Sequence, residues 1–331
     1  MIGLDLGSSN IRVWTSDGGI IYNEPSVVSY ERIGGGQDKI GYEAKKLLGK
    51  TENGNTITVS PLREGVIAGV EETIRLIYSV FRETGIQNPF ARPSVLVGVP
   101  NYATAVERSA VAEAVYRAGA RAGGVYLVRE PYAAALGAGL NISRPRGNMI
   151  VDIGSGTTEV MIISMDGVVV AESSPIASGQ FDEAIRHYMY DRFDIDIGIT
   201  TAEEIKISMG SVCPTADVRS GSLTGLNVRT RRPTKISVHS NMISDAIREQ
   251  SIAIVKLIKS AIKIAPPEIC ADILDNGITV TGGGALIGGT AQLLRNQLSV
   301  PIKIAKNPAE CVINGIGRII NEDLEQYIEQ V

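Results

Sequence analysis

The chain has 331 residues, 44% of them hydrophobic and 21% charged, which is enough to bury more than one core and argues for a globular protein of two domains. Its 32 Lys and Arg against 36 Asp and Glu leave a net charge of −4, so the chain lacks the basic footprint of a general nucleic-acid binder, and the short cluster Arg229, Arg231, Arg232 does not reverse that. Cys213, Cys270 and Cys311, odd in number and set in apolar stretches, fit reduced core thiols; with only His187 and His239 beside them, zinc, Cys-His and Ser-His chemistry lack their parts.

Met1-Ile2 leads straight into the first apolar run, without a basic or apolar leader, so no signal peptide is expected. Apolar runs predict strands over 2–6, 11–16 and 20–23, the last two joined by the turn Asp17-Gly18-Gly19. The stretch 33–61, rich in Gly, Lys and Asn, reads as a small insertion outside the sheet. Ile74, Ile77, Tyr78 and Phe81 fall at helical spacing, and a strand over 94–100 follows. Thr104 with Glu107 is a capping-box signature ahead of an Ala-rich helix reaching Gly119, and a strand over 125–128 then ends beside Glu130.

The plan then repeats. Strands over 149–153, 159–164 and 168–172, with Met165-Asp166-Gly167 as a turn, precede helices over 181–193 and 201–209 and a Gly-, Thr- and Arg-rich strand-and-turn stretch over 211–237. A long helix is expected from Asn241; Lys256, Lys259 and Lys263 interrupt it, which marks a core helix of a soluble protein and excludes a membrane span. A last strand over 277–281 breaks into Gly282-Gly283-Gly284 before a helix over 290–298.

Within this plan one segment occurs nearly twice. Gly3-Leu4-Asp5-Leu6-Gly7-Ser8-Ser9-Asn10 returns as Val151-Asp152-Ile153-Gly154-Ser155-Gly156-Thr157-Thr158, with the two Asp separated by 147 positions (152 − 5). Each copy is an apolar strand that delivers an Asp and turns tightly through Gly and Ser, leaving backbone N–H groups for a phosphate. Two copies imply two related half-molecules facing one nucleotide, with Asp5 and Asp152 aimed at a magnesium ion, which is content with one or two carboxylates, water and phosphate oxygens. Taken singly, each Asp is equally a cap of its own turn.

Three further segments add to this. Gly282, Gly283 and Gly284 let a backbone lie flat against a ring or a phosphate, or else form a tight turn. Glu130, at the mouth of the small-residue helix Ala133-Ala134-Ala135, has the place to orient an attacking water, or to answer the helix dipole. Glu203 and Lys206 share a helix face and either bracket a ribose and purine or form a solvated ion pair, with Glu204 capping Thr201.

Together these segments resemble the actin, sugar kinase and heat-shock chaperone ATPase superfamily, and within it the MreB family of bacterial actins. Residues 3–10 and 152–159 resemble the two phosphate loops, and Asn23-Glu24-Pro25-Ser26-Val27-Val28 the stretch after the first. Glu130-Pro131-Tyr132 and the segment 310–317 resemble the two connecting helices, while 201–206 and 282–286 resemble the adenosine-binding segments. The resemblance implies an α/β actin-like ATPase fold: two similar domains, each a mixed five-stranded sheet flanked by helices, with four subdomains around a nucleotide cleft. The domain boundaries it implies are 1–145 plus 315–331, with an insertion over 32–66, and 146–314, with an insertion over 182–243.

It also implies the site residues. Glu130, Asp152 and Thr158 are expected to be catalytic, and Asp5 and Asp152 to serve the magnesium. Gly7, Ser8, Ser9, Asn10, Gly154, Ser155, Gly156, Thr157, Glu203, Lys206, Gly282, Gly283, Gly284 and Leu286 are expected to hold ATP. The implied activity is ATP hydrolysis coupled to turnover of a homopolymeric filament of paired protofilaments, at the inner face of the cell membrane, scaffolding the cell-wall elongation machinery and so cell shape. Pro89-Phe90 lies where a membrane-inserting loop would be, although a Phe beside Pro also serves as a packing plug. The alternatives are a plasmid- or organelle-positioning filament and a monomeric sugar kinase or chaperone ATPase. Ile11 in place of Thr, Ser155 in place of Gly, and Gly179-Gln180 in place of Gly-Asp depart from the family pattern.

Overall fold

The opening apolar runs form an antiparallel meander, β1 (Ile2–Leu6), β2 (Asn10–Thr15) and β3 (Gly19–Pro25), in a computed structural model that describes residues 1–34, 36–51, 54–86, 92–214 and 218–330. Gly19 turns the second bend at φ +65°, a conformation that costs glycine little. The predicted insertion is a separate three-stranded sheet, β4 (Val28–Glu31), β5 (Lys39–Ile40) and β6 (Thr56–Val59), which carries α1 (Gly41–Lys45); β7 (Leu62–Arg63) and β8 (Val66–Ile67) make a short hairpin after it. The chain then crosses through α2 (Val70–Glu83) to β9 (Val95–Val99), and through α3 (Ala105–Arg117) to β10 (Val125–Arg129). Thr104 and Glu107 close the capping box at the start of α3. Both crossovers return to the sheet as parallel strands, β9 beside β1 and β10 beside β9, and α4 (Glu130–Gly137) follows at once.

The second half rebuilds this order. β11 (Asn148–Ile153), β12 (Thr158–Ser164) and β13 (Gly167–Ser174) are again an antiparallel meander, whose tight turn puts both Met165 and Asp166 at positive φ. Helices α5 (Ser178–Phe193) and α6 (Ile199–Met209) flank β14 (Ile195–Asp196), which joins β15 (Ser220–Asn227) and β16 (Pro233–His239) in a small sheet. The expected long helix is two, α7 (Ser240–Ala246) and α8 (Arg248–Ile264): Ile247, at φ −98° and ψ 9°, breaks it without any Gly or Pro. After α9 (Pro267–Asn276), β17 (Ile278–Thr281) lies parallel to β11, and α10 (Thr290–Leu298) leads to β18 (Ile302–Ile304), parallel to β17. The chain ends with α11 (Cys311–Asn321) and β19 (Glu329–Gln330).

Two units result, Met1–Asn141 with Glu310–Val331, and Ile142–Ala309. The sheet order β3-β2-β1-β9-β10 of the first is matched strand for strand and direction for direction by β13-β12-β11-β17-β18 of the second. The first sheet has six strands rather than five, because β19 adds an antiparallel edge to β10. Each unit has its own apolar core: Leu4, Val13, Leu76, Val97 and Leu127 in the first, Val151, Ile162, Phe181, Ile258 and Val280 in the second. In the first unit α4 and α11 meet backbone to backbone, since a Cβ on Gly315 would stand 1.7 Å from the Ala133 carbonyl oxygen and one on Gly137 1.9 Å from that of Cys311. Among the described residues no helix is long and apolar enough to cross a membrane. Pro89 and Phe90 lie outside the described residues.

Candidate functional site

The near-repeat becomes two matching hairpin loops. Leu6 pairs with Ile11 across β1 and β2, and Ile153 with Thr158 across β11 and β12, so each hairpin encloses four residues: Gly7, Ser8, Ser9 and Asn10, and Gly154, Ser155, Gly156 and Thr157. The first glycine is demanded by the same contact in both copies. A Cβ on Gly7 would lie 2.9 Å from the Asn10 carbonyl oxygen, and one on Gly154 3.0 Å from that of Thr157. Among the described residues, the backbone N–H groups of Ser8, Ser9, Ser155 and Gly156 donate to no protein acceptor, the arrangement that suits an anion.

Neighbouring elements fix both loops. The Ser26 hydroxyl donates to the Gly7 carbonyl (2.6 Å), the Ser26 N–H to the Ser9 carbonyl (2.9 Å), and Asn10 Nδ2 to Asn23 Oδ1 (2.9 Å). Ser8 Oγ accepts the Gly65 N–H at 3.1 Å. In the second unit the start of α5 does this work: Ser178 N–H donates to the Gly154 carbonyl (3.0 Å) and Gly179 N–H to that of Ser155 (2.9 Å). Gln180 accepts the Ala177 N–H at 3.0 Å and so caps α5. Ile11 is wholly inside the first core.

In the first unit Asp5 is buried and directly opposite Arg12, whose Nη1 donates to Asp5 Oδ2 at 2.7 Å. Burial pushes the Asp5 carboxyl up from its ordinary range, against the pull of the Arg12 charge and hydrogen bond. Extending the β1–β9 register by one residue puts Asp5 beside Gly98, and a Cβ on Gly98 would lie 3.4 Å from Glu130 Cγ. Arg12, Asp5 and Glu130 therefore share one face of the sheet, with Gly98 leaving room for the glutamate. Glu130 also occupies the first turn of α4, where the dipole favours its charge.

In the second unit Asp152 is buried, and Thr281 on β17 donates its hydroxyl to Asp152 Oδ1 at 2.8 Å. Glu159, 1% exposed, stands directly opposite Asp152, at the station that Arg12 holds in the first unit. Thr158, expected to be catalytic, is fully buried and gives its hydroxyl proton to the Ile176 carbonyl at 2.7 Å, so it ties β12 to the approach of α5. Gly282 needs to be glycine: its φ is +82°, and a Cβ would lie 2.2 Å from the Ile153 carbonyl oxygen and 2.8 Å from Asp152 Oδ1. Gly284 packs on Ile153, whereas a Cβ on Gly283 would meet only open space, and Leu286 is exposed. The glycine run is thus pinned to the strand that carries Asp152 and bare in its middle.

Lys206 departs from expectation. It is buried, and its Nζ donates to Asp182 Oδ2 and to the Ser178 carbonyl, both at 2.8 Å. The ammonium holds the start of α5, and through it the second loop, rather than pairing with Glu203 on its own helix. The Thr201–Glu204 cap is also absent, because α6 begins earlier, with Gly198 as its N-cap. Local reading missed Arg12, Gly98, Asp182 and Thr281; for Arg12 the signal was present, since an equal-length hairpin places the seventh residue after Asp5 directly across from it.

Comparison with known proteins gives a consistent set of relatives. A family model described as "MreB/Mbl protein" matches residues 1–328. The chain is 39% identical to the cell shape-determining protein Mbl of Bacillus subtilis over 320 residues (97% of this chain, 95% of Mbl), and 40% identical to the cell shape-determining protein MreB of Escherichia coli over 325 residues (96% and 92%). Its structure is similar to that of MreB5 of Spiroplasma citri bound to AMPPNP, with a TM-score of 0.90, 34% identity and 98% of each chain covered. A MamK double helical filament shares the fold at a TM-score of 0.80 and 21% identity, over 97% of this chain and 98% of MamK.

Proposed function

The chain belongs to the MreB/Mbl family, and from that premise we infer that it is an ATP-binding and ATP-hydrolysing bacterial actin whose protomers polymerise into filaments. The observation that carries this reading is the pair of matching hairpin loops, each with bare N–H groups, on two sheets of identical strand order. Each loop suits phosphate oxygens, and in the second unit Gly282, Gly283, Gly284 and Leu286, with Glu203, suit the adenosine. The relatives agree with it: MreB5 of Spiroplasma citri has been solved bound to AMPPNP and to ADP, and MamK as a filament.

Among the described residues no three Asp, Glu, His or Cys side chains gather into a metal cage. A magnesium ion, which keeps its waters and shares phosphate oxygens, nevertheless suits the Asp152 carboxylate that Thr281 orients. When bound it would neutralise phosphate charge. Glu130 orients the attacking water, a step that is mostly positioning. Hydrolysis weakens the filament. At the inner face of the cell membrane, with Phe90 as its contact, the filament scaffolds cell-wall synthesis; a role in cell shape is in keeping with Mbl and MreB being cell shape-determining proteins.

The test is phosphate release beside nucleotide affinity for Glu130→Ala. The variant is expected to bind ATP as the wild type does and to release phosphate about a hundredfold more slowly. Unchanged hydrolysis would remove Glu130 from its role.

A further inference from the structure

The two sheets match strand for strand except at one edge. β19 adds to β10, the strand that runs directly into Glu130, whereas β18, its counterpart in the second unit, carries no added strand among the described residues. The register pairs Tyr126 with Gln330 and Leu127 with Glu329. Two side chains of the C-terminal segment extend this contact to the start of α4. Glu329 Oε1 accepts from Arg129 Nε at 3.0 Å, and the Tyr327 ring, 7% exposed, packs on Tyr132 with centroids 5.1 Å apart. Arg129 and Tyr132 flank Glu130-Pro131 in sequence, and all of these residues belong to the first unit.

The start of α4 depends on such support. Its N-cap residue, Arg129, gives the first turn no side-chain hydrogen bond, and the helix is eight residues long. A helix this short is marginal by itself, so packing sets its place. α11 supports Ala133 and Gly137, and the C-terminal segment supports Tyr132 in the first turn. On the reading above, in which Glu130 orients the attacking water, we propose that Tyr327 and Glu329 are positioning residues for that glutamate: the C-terminal segment clasps the junction of β10 and α4 on both sides of Glu130 and holds its carboxylate in register for hydrolysis. They act through Glu130 and not on the nucleotide. The step is mostly positioning, and a misplacement of about 1 Å costs up to about a hundredfold in rate. The Arg129 and Glu329 side chains are 40% and 38% exposed, so water screens their attraction and the larger share falls to the buried Tyr327 ring. The clasp therefore governs the rate of the chemical step rather than affinity.

The experiment measures ATP hydrolysis and ATP affinity of the 331-residue chain as wild type, Tyr327→Ala, Tyr327→Phe and Glu329→Arg, each also in a Glu130→Ala background. Tyr327→Ala is expected to lower kcat about tenfold while KM and affinity stay within about twofold. Tyr327→Phe, which keeps the ring, should restore most of the rate. Glu329→Arg sets two cations against each other at an exposed position, where folding is not at stake, and should slow hydrolysis about threefold. In the Glu130→Ala background none of these should slow hydrolysis further. A wild-type rate in Tyr327→Ala or in Glu329→Arg, a fall in affinity that matches the fall in kcat, or further slowing without Glu130 would overturn the proposal. If Glu130→Ala itself hydrolyses as the wild type does, or the wild type hydrolyses no ATP, the reading on which the proposal rests falls instead.

Discussion

Replacing Lys206 by Met tests how the second phosphate loop is held. The Lys206 and Asp182 side chains are 9% and 10% exposed, and their 2.8 Å contact is a buried ion pair. Met keeps the apolar stem and removes only the ammonium, so Asp182 stays buried without its cation and the Ser178 carbonyl loses a donor. Removing one member of a buried pair costs about 3–5 kcal/mol. For a unit of about 170 residues each kcal/mol lowers the melting temperature by about 2–4 °C, which gives a fall of about 6–20 °C in the transition of the second unit. Calorimetry of the nucleotide-free protein measures this. Because Lys206 anchors the turn whose N–H groups hold the Gly154 and Ser155 carbonyls, nucleotide affinity should fall as well. Removing both charges, as Lys206→Met with Asp182→Leu, should restore most of the stability, since an apolar pair of similar volume is no worse than the ion pair. A single variant that melts within about 3 °C of wild type, or a double variant no better than the single, would refute the reasoning.

Three further outcomes follow from the geometry. Gly282→Ala combines a left-handed backbone with a Cβ 2.2 Å from a carbonyl oxygen, and should cost about 3 kcal/mol or more in chemical denaturation; Gly283→Ala, whose Cβ meets open space, should leave stability within about 0.5 kcal/mol while weakening nucleotide binding. Gly315→Val should force α4 and α11 apart, costing the first unit about 3 kcal/mol or more and lowering soluble yield. Tyr22 is buried and its hydroxyl meets no hydrogen-bond partner among the described residues, and burial first, then the charges of Glu24 and Glu83, push its ionisation well above the ordinary value near 10. Above that ordinary value the unfolded chain loses the phenol proton while the folded one keeps it, so stability falls as pH rises; Tyr22→Phe should flatten that alkaline slope in urea unfolding at pH 9 to 11.

The parts of the fold legible in sequence are those written in local periods. Apolar runs ending in Asp and then Gly-Ser marked β1 and β11, and the repeat at fixed separation announced the two matching sheets. Thr104 with Glu107 placed the start of α3 because a cap is a contact between residues three apart. What stayed hidden depends on distant partners. Lys206 has Glu203 as its helical neighbour, yet burial turns its charge to Asp182, 24 residues earlier on another helix. β19 is two residues long, too short for a period to show, and exists only because β10 offers an edge. The break at Ile247 carries no helix-breaking residue, so only packing explains why α7 and α8 are separate. At the site, motif reading found both loops and both Asp, but weighing Asp and Gly alone passed over the contrast between Arg12 and Glu159.

The central claim, that this chain is a nucleotide-dependent filament former, is tested most directly by electron microscopy of the purified 331-residue chain with ATP and magnesium, beside the same sample without nucleotide. Filaments with ATP, and few or none without it, are the predicted result. A protein that binds ATP yet stays monomeric at every concentration, with or without a lipid surface, would contradict it.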